Sequence, residues 1–205
     1  MVDSDIHVEA LAKFGDVIIV IQGESPEKTK RFMCDSRVLV QASIYFEKLF
    51  GPNFLEGPLV ASSSIPEIPL HEDDPGVMGV ILAILHYREP PTEFKEKSPT
   101  WLAMLAIHCD KYDCTKPLQS TMNAWLRYCQ GQSPKTTDYG HLLLAAYLFR
   151  DESQFFNISR SAQINLRPGF ALEWEKSECL IGLPDALERK LSFERNSENN
   201  LTLTR

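Results

Sequence analysis

The residues whose types could do chemistry fall into three short runs. His108-Cys109, with Cys114 five residues further on, offers soft nitrogen and sulfur ligands for a metal such as zinc. Zinc takes four ligands, which usually arrive as two close pairs, and here there is one loose pair without a second. Cys109 also falls on the apolar stripe of its helix, so its reading is a buried structural thiol. Cys34 could serve as a nucleophile beside a histidine, but no spacing selects a histidine for it, and Asp35 next door disfavours a thiolate. Asp35 reads instead as a helix cap. Glu72-Asp73-Asp74, after His71, lacks the glycine and spaced oxygens of a calcium loop. Carboxylates just ahead of Pro75 suit a helix start, where they face unpaired amides. The chain has no glycine-rich phosphate loop, no nucleophile elbow and no HExxH. Neither a catalytic residue nor a cofactor or metal site is expected.

Composition narrows the classes further. A chain of 205 residues can bury roughly 70% of its unfolded surface, enough for one generous domain or two small ones without disulfides or metals. Hydrophobic residues make up 43% and charged residues 24%, as in soluble globular proteins. A net charge of −7, with no basic cluster longer than Lys28-Thr29-Lys30-Arg31, argues against nucleic acid as a partner. The longest apolar run, residues 77–85, is about half of the roughly 20 residues a membrane span needs, so no membrane is expected. The five cysteines are odd in number and scattered, and no secretory h-region opens the sequence. Reduced thiols in the cytosol or nucleus are the expectation.

The elements that must position these residues are legible from periodicity. Residues 5–14 are loosely periodic and read as a short helix ended by Gly15-Asp16. Val17-Ile18-Ile19-Val20-Ile21 is a β-branched run that suits a strand covered on both faces. Turn residues Gly23 to Pro26 lead to a return strand over 30–34. In residues 31–50, Asp35 and Ser36 offer helix caps. Val38, Leu39, Ala42, Tyr45, Phe46, Leu49 and Phe50 then make one helical stripe, stopped by Gly51-Pro52. Residues 53–64 read as a loop. Residues 67–70 read as an edge strand that tolerates Pro69, and 77–85 as an apolar helix ended by Pro90-Pro91. Helices follow over 101–112, 118–129, 139–149, 155–164 and 185–193, with a boundary at Lys116-Pro117, an irregular stretch over 166–184 and a polar tail from 196. Trp101, Trp125 and Trp174 are core candidates, whereas an exposed aromatic at Trp174 or Phe155-Phe156 would read as a partner anchor.

This order of elements, together with several local patterns, resembles the BTB/POZ domain. The family's central signature is matched at Phe32, Val38, Leu39, Ser43, Tyr45, Phe46, Leu49 and Phe50. Its strand-opening Asp-Val is similar to Asp16-Val17, its acidic turn before Pro to Glu72-Asp73-Asp74-Pro75, and its later pattern to Leu105-Ala106 followed by Lys111-Tyr112. The likeness covers roughly residues 14–118. Asp35 stands where the family usually has His, and Ile44 where Pro is common. The sheet-exchanging N-terminal segment of strongly dimeric members is short here. The helical remainder is similar in layout to BTB proteins of filamentous fungi.

The resemblance implies an α+β protein: a BTB/POZ fold over 1–118, with a small mixed sheet covered by helices, then an all-helical extension over 119–195 and a flexible tail over 196–205. It implies protein–protein interaction rather than catalysis. In members that serve cullin-3 ubiquitin ligases, a hydrophobic-any-Glu triplet after the central helix contacts the cullin. Phe54-Leu55-Glu56 stands at that place. The expected function is therefore a cullin-3 substrate adaptor, with a homo-oligomeric scaffold (a homodimer at its simplest) as the alternative.

Overall fold

In the computed structural model, residues 7–61, 64–90 and 98–184 are described. The chain forms two compact units, Met1–Glu96 with His108–Leu118, and Lys97–Ile107 with Gln119–Arg205. The class is α+β, a small mixed sheet with a majority of helix. Residues 97–107 thus group with the later helices rather than with the sheet. The expected helix over 185–193 and the tail lie outside the described residues.

The first unit is built on a sheet of order β1-β3-β2-β4. Strands β2 (Val17–Ile21) and β3 (Lys30–Cys34) form the expected hairpin, in register Ile19 opposite Phe32, with a 3₁₀ turn over Pro26–Lys28 between them. Strand β4 (Glu67–Leu70) runs parallel to β2 at one edge. Its Ile68 and Leu70 point inward and Pro69 sits opposite Val20, on the edge strand, where a missing N–H does least harm. The expected N-terminal helix is instead a strand, β1 (Val8–Ala10), parallel to β3. Its apolar residues are too few for a helical stripe, and pairing with the free edge of β3 satisfies its backbone.

The expected helix over 38–50 is two helices, α1 (Ser36–Ala42) and α2 (Ile44–Leu49). Ser43 is extended between them, with φ −148° and ψ 121°, and caps α2 by accepting from the Phe46 amide at 3.1 Å. The periodicity survives the break because one residue out of helical geometry shifts the stripe only modestly. Leu39 and Phe46 are fully buried, while Val38, Ala42, Tyr45, Leu49 and Phe50 are half-buried. Residues expected as loop contain a short helix, α3 (Glu56–Val60). Helix α4 (Pro75–Leu85) is buried almost all round. Gly79 lets it approach the sheet, since a Cβ there would stand 2.9 Å from Phe32 Cζ.

Helix α4 ends five residues before Pro90. The Tyr87 amide bonds to Ile84 O at 3.0 Å and that of Arg88 to Ala83 O at 2.8 Å, with Tyr87 left-handed at φ 56°. This is a Schellman closure. Helix α5 (Pro99–Lys111) closes the same way, from Asp113 to Asp110 O and from Cys114 to Cys109 O, with Asp113 at φ 47°. Neither turn carries glycine, which is why proline looked like the stop.

Helix α6 (Thr115–Gln130) begins before Pro117, which fits inside its first turn. In the second unit, α7 (Thr136–Leu148) is the buried centre, paired with α8 (Glu152–Asn165). The stretch expected as irregular carries α9 (Phe170–Trp174) and a 3₁₀ turn over Glu178–Gly182. Trp174 is fully buried and donates from Nε1 to Thr136 O at 2.9 Å. Gly140 makes room for it, because a Cβ there would stand 3.0 Å from the indole. Buried His141 bridges Ser177 Oγ at 2.9 Å and Thr100 Oγ1 at 3.3 Å.

Leu39→Asp places an unpaired carboxylate where the side chain has no solvent access, a cost of several kcal/mol, so the variant should not fold. A soluble variant with native circular dichroism would contradict that burial. For His141, burial lowers the folded pKa below the ordinary 6.5, although Asp138 pulls it upward. The unfolded chain therefore takes up a proton that the folded chain refuses once pH falls below that value, and stability drops there. Between about pH 7.5 and about pH 5.5, wild type should lose more of its melting midpoint than His141→Gln. Equal losses would show that His141 carries no such linkage.

Candidate protein-interaction surface

The polar chemistry of the first unit is spent on joining its elements. Asp16, at the head of β2, accepts from both the amide and the hydroxyl of Ser36 at 2.7 Å, which satisfies the first turn of α1. Asp35 caps the same helix by accepting from the Arg37 amide at 3.0 Å. Its carboxyl is held below the usual range, foremost by the Arg37 guanidinium, against the opposing effect of burial. The Asp35 amide in turn donates to His86 Nε2 at 3.1 Å, with His86 Nδ1 2.8 Å from Leu82 O. That pattern assigns the neutral tautomer carrying its proton on Nδ1.

A second set gathers on Asp73. Its buried carboxylate accepts from Tyr112 Oη at 2.5 Å and from Lys111 Nζ at 2.8 Å, and Lys111 also reaches His71 O at 3.0 Å. Asp74 caps α4 through the Val77 amide at 2.7 Å, and its own amide donates to His108 Nε2 at 3.1 Å. Burial, then the hydrogen bond to Asp73, pushes the Tyr112 phenol far up, so it stays a donor. Tyr112 stacks on Phe46 with ring centroids 5.4 Å apart and meets Tyr45 edge-on at 4.8 Å. The Tyr112 carbonyl accepts from the Ser43 hydroxyl at 2.5 Å. Periodicity had presented Asp73 as one carboxylate of a helix start. The signal that separates it from its exposed neighbour Glu72 is the Lys111-Tyr112 pair, 38 and 39 residues away, and that pairing is visible only in three dimensions.

The cysteine candidates are buried. Cys109 and Cys114 have no solvent access, and desolvation raises the Cys109 thiol first, with the Cys114 thiol adding to it. Cys34 is likewise raised by burial, then by the charges of Asp16 and Glu9 rather than Asp35. Such thiols are poor nucleophiles. Among the described residues, no three His, Cys, Asp or Glu side chains converge to hold a metal ion, and no helix is long and apolar enough to cross a membrane.

Among the exposed apolar side chains of the described residues, several lie on and between α1, α2 and α3. Phe54 is 50% exposed, Leu55 86%, Ile44 51% and Val40 36%, with Leu59 half-exposed on α3. Glu56 opens α3, so the triplet is a corner at a helix start rather than a loop. Two shallow grooves border these helices. One, of about 760 Å³, is lined by Asp16, Arg37, Val40, Phe50, Gly57 and Val60 among others. The other, of about 500 Å³, runs along Ala42, Ile44, Asp113 and Pro117. Val40, Gln41 and Glu47 line both. Exposed apolar residues gathered beside grooves mark contact surfaces more often than scattered ones do.

Of the expected fold-signature residues, Phe32, Leu39 and Phe46 are core, while Asp16, Asp35 and Ser43 are capping groups. Tyr45 covers the edge of Tyr112. Of the aromatic anchor candidates, Phe156 is exposed on α8 and Trp174 is core. Trp101 and Trp125 meet edge-on at 5.5 Å. No protein family matches this chain, and no curated protein matches it.

Tyr112→Phe should test the Asp73 cluster. Removing one hydroxyl leaves a buried carboxylate short of a partner, at about 1–3 kcal/mol. A clear fall in melting midpoint is expected, and an unchanged midpoint would show that Lys111 alone suffices.

Proposed function

We propose that this chain is a BTB/POZ-type interaction module acting as a substrate adaptor for a cullin-3 ubiquitin ligase. The observation that carries the reading is the accessible Phe54-Leu55-Glu56 corner. It stands directly after α2, at the position of the family's cullin-contacting triplet, and leads into Gly57 and Val60 of the larger groove. The strand order around β2, flanked by β3 and β4, and the succession α1, α2, β4, α4, α5 support the same assignment. So does the use of Asp16, Ser43 and Tyr112 as joints between these elements. In this reading Phe54 enters an apolar groove of the cullin and Glu56 accepts hydrogen bonds. The second unit supports that contact or recruits the substrate. Binding is by burial of complementary surface, on the order of 1,600 Å² for a stable pair. The adaptor works in the cytosol or nucleus, where its free cysteines stay reduced.

Phe54→Ala combined with Glu56→Lys should abolish co-purification with the cullin-3 N-terminal domain and leave the melt nearly unchanged, since both positions are solvent-accessible. Undiminished co-purification would rule out the corner as the contact. A light-scattering mass that rises only when cullin is added would separate an adaptor from a self-associating scaffold.

A further inference from the structure

The Phe54-Leu55-Glu56 corner is short and exposed, so its shape needs a cause outside its own side chains. The chain leaves α2 through a four-residue turn, Gly51 to Phe54. Pro52 takes the second position, where its fixed φ suits the bend. The Phe54 amide closes the turn by donating to Gly51 O at 3.4 Å.

Three residues on, Gly57 comes back against the same carbonyl, and it is the one buried residue of α3. A Cβ at Gly57 would stand 2.8 Å from Gly51 C and 2.9 Å from Phe50 O, and closer still to Gly51 O. These are backbone atoms, which cannot turn aside as the end of a long side chain can. Gly57 is also helical directly before Pro58. A proline ring crowds the Cβ of a helical residue before it, and glycine has none. Two constraints of separate origin meet at one position.

We infer that Gly57 is the positioning residue of the corner: by closing α3 onto the end of α2, it fixes where Phe54 and Glu56 are presented to a partner protein. A corner held in advance need not be ordered on binding, a cost that association otherwise carries. The link runs through Gly51 O, since whatever pushes Gly57 off that carbonyl also disturbs the bond from Phe54. The partner is that of the adaptor reading, on which this role in binding rests, whereas the closure itself is independent of it.

Gly57→Ala, made in the full chain, tests this with opposite signs for two causes. Alanine is the better helix former, so a corner governed by helix propensity would bind as well or better. A corner governed by the backbone contact should bind the cullin-3 N-terminal domain roughly tenfold more weakly or worse, by isothermal titration. The melting midpoint should stay close to that of wild type, because the buried side chains of the unit lie outside α3. Without any partner, backbone NMR should show the Gly51 and Phe54 amide shifts moving while those of β2 and β3 hold. Undiminished binding, or shifts confined to the residues next to position 57, would overturn the inference. So would loss of the whole fold, which would make Gly57 a support of the core. Moved Gly51 and Phe54 shifts, with no cullin bound by wild type, would sink the adaptor reading alone.

Discussion

The first unit depends on the buried carboxylate of Asp73 being fully partnered. Left alone in an apolar interior it would cost several kcal/mol, a large share of a small domain's net stability. Tyr112 and Lys111 prevent that, and in doing so tie the turn after β4 to the end of α5. Tyr112 then passes the constraint on. Its ring lies on Phe46 and its carbonyl holds the Ser43 hydroxyl, so the break between α1 and α2 is fixed by the same residue. One residue, through its ring, hydroxyl and carbonyl, thereby joins three segments that are far apart in sequence.

That arrangement gives several of the polar residues whose types could do chemistry a structural task. Asp16, Asp35 and Asp74 satisfy helix starts, and His86 and His108 accept amides from two of those caps. Burial raises the thiols of Cys34 and Cys109 well above their ordinary range, so these two stay protonated at neutral pH. The accessible side chains on and between α1, α2 and α3 mix apolar residues (Val40, Ile44, Phe54, Leu55 and Leu59) with charged ones (Arg37, Glu47 and Lys48).

The second unit follows a different logic. Its centre, α7, is apolar on nearly all sides, and polar contacts serve to orient its neighbours. Trp174 and His141 each reach from or to the stretch after α8 through part-buried hydrogen bonds. Gly140 permits this closeness, because any larger side chain would meet the indole. The short elements after Leu166 are ordered by these contacts rather than by their own propensity, which is weak for helices of five residues.

By itself, the sequence determined the α+β class, the hairpin of β2 and β3, the edge position of β4 and the buried stripe containing Leu39 and Phe46. Hydrophobic period and turn chemistry are local, and these features need nothing else. The tertiary structure decided what local rules cannot see. Residues 8–10 became a strand because β3 offered an open edge, and the central helix broke at Ser43 because Tyr112 held its hydroxyl. Helices α4 and α5 stopped at left-handed Tyr87 and Asp113, where no glycine signals the turn. Asp73 was buried and its neighbour Glu72 exposed, though the two look alike in sequence. The candidate site divides the same way. Phe54-Leu55-Glu56 could be pointed to from its place after the helix, but the grooves beside it are set by the fold, since surface shape depends on packing at a distance and not on spacing along the chain.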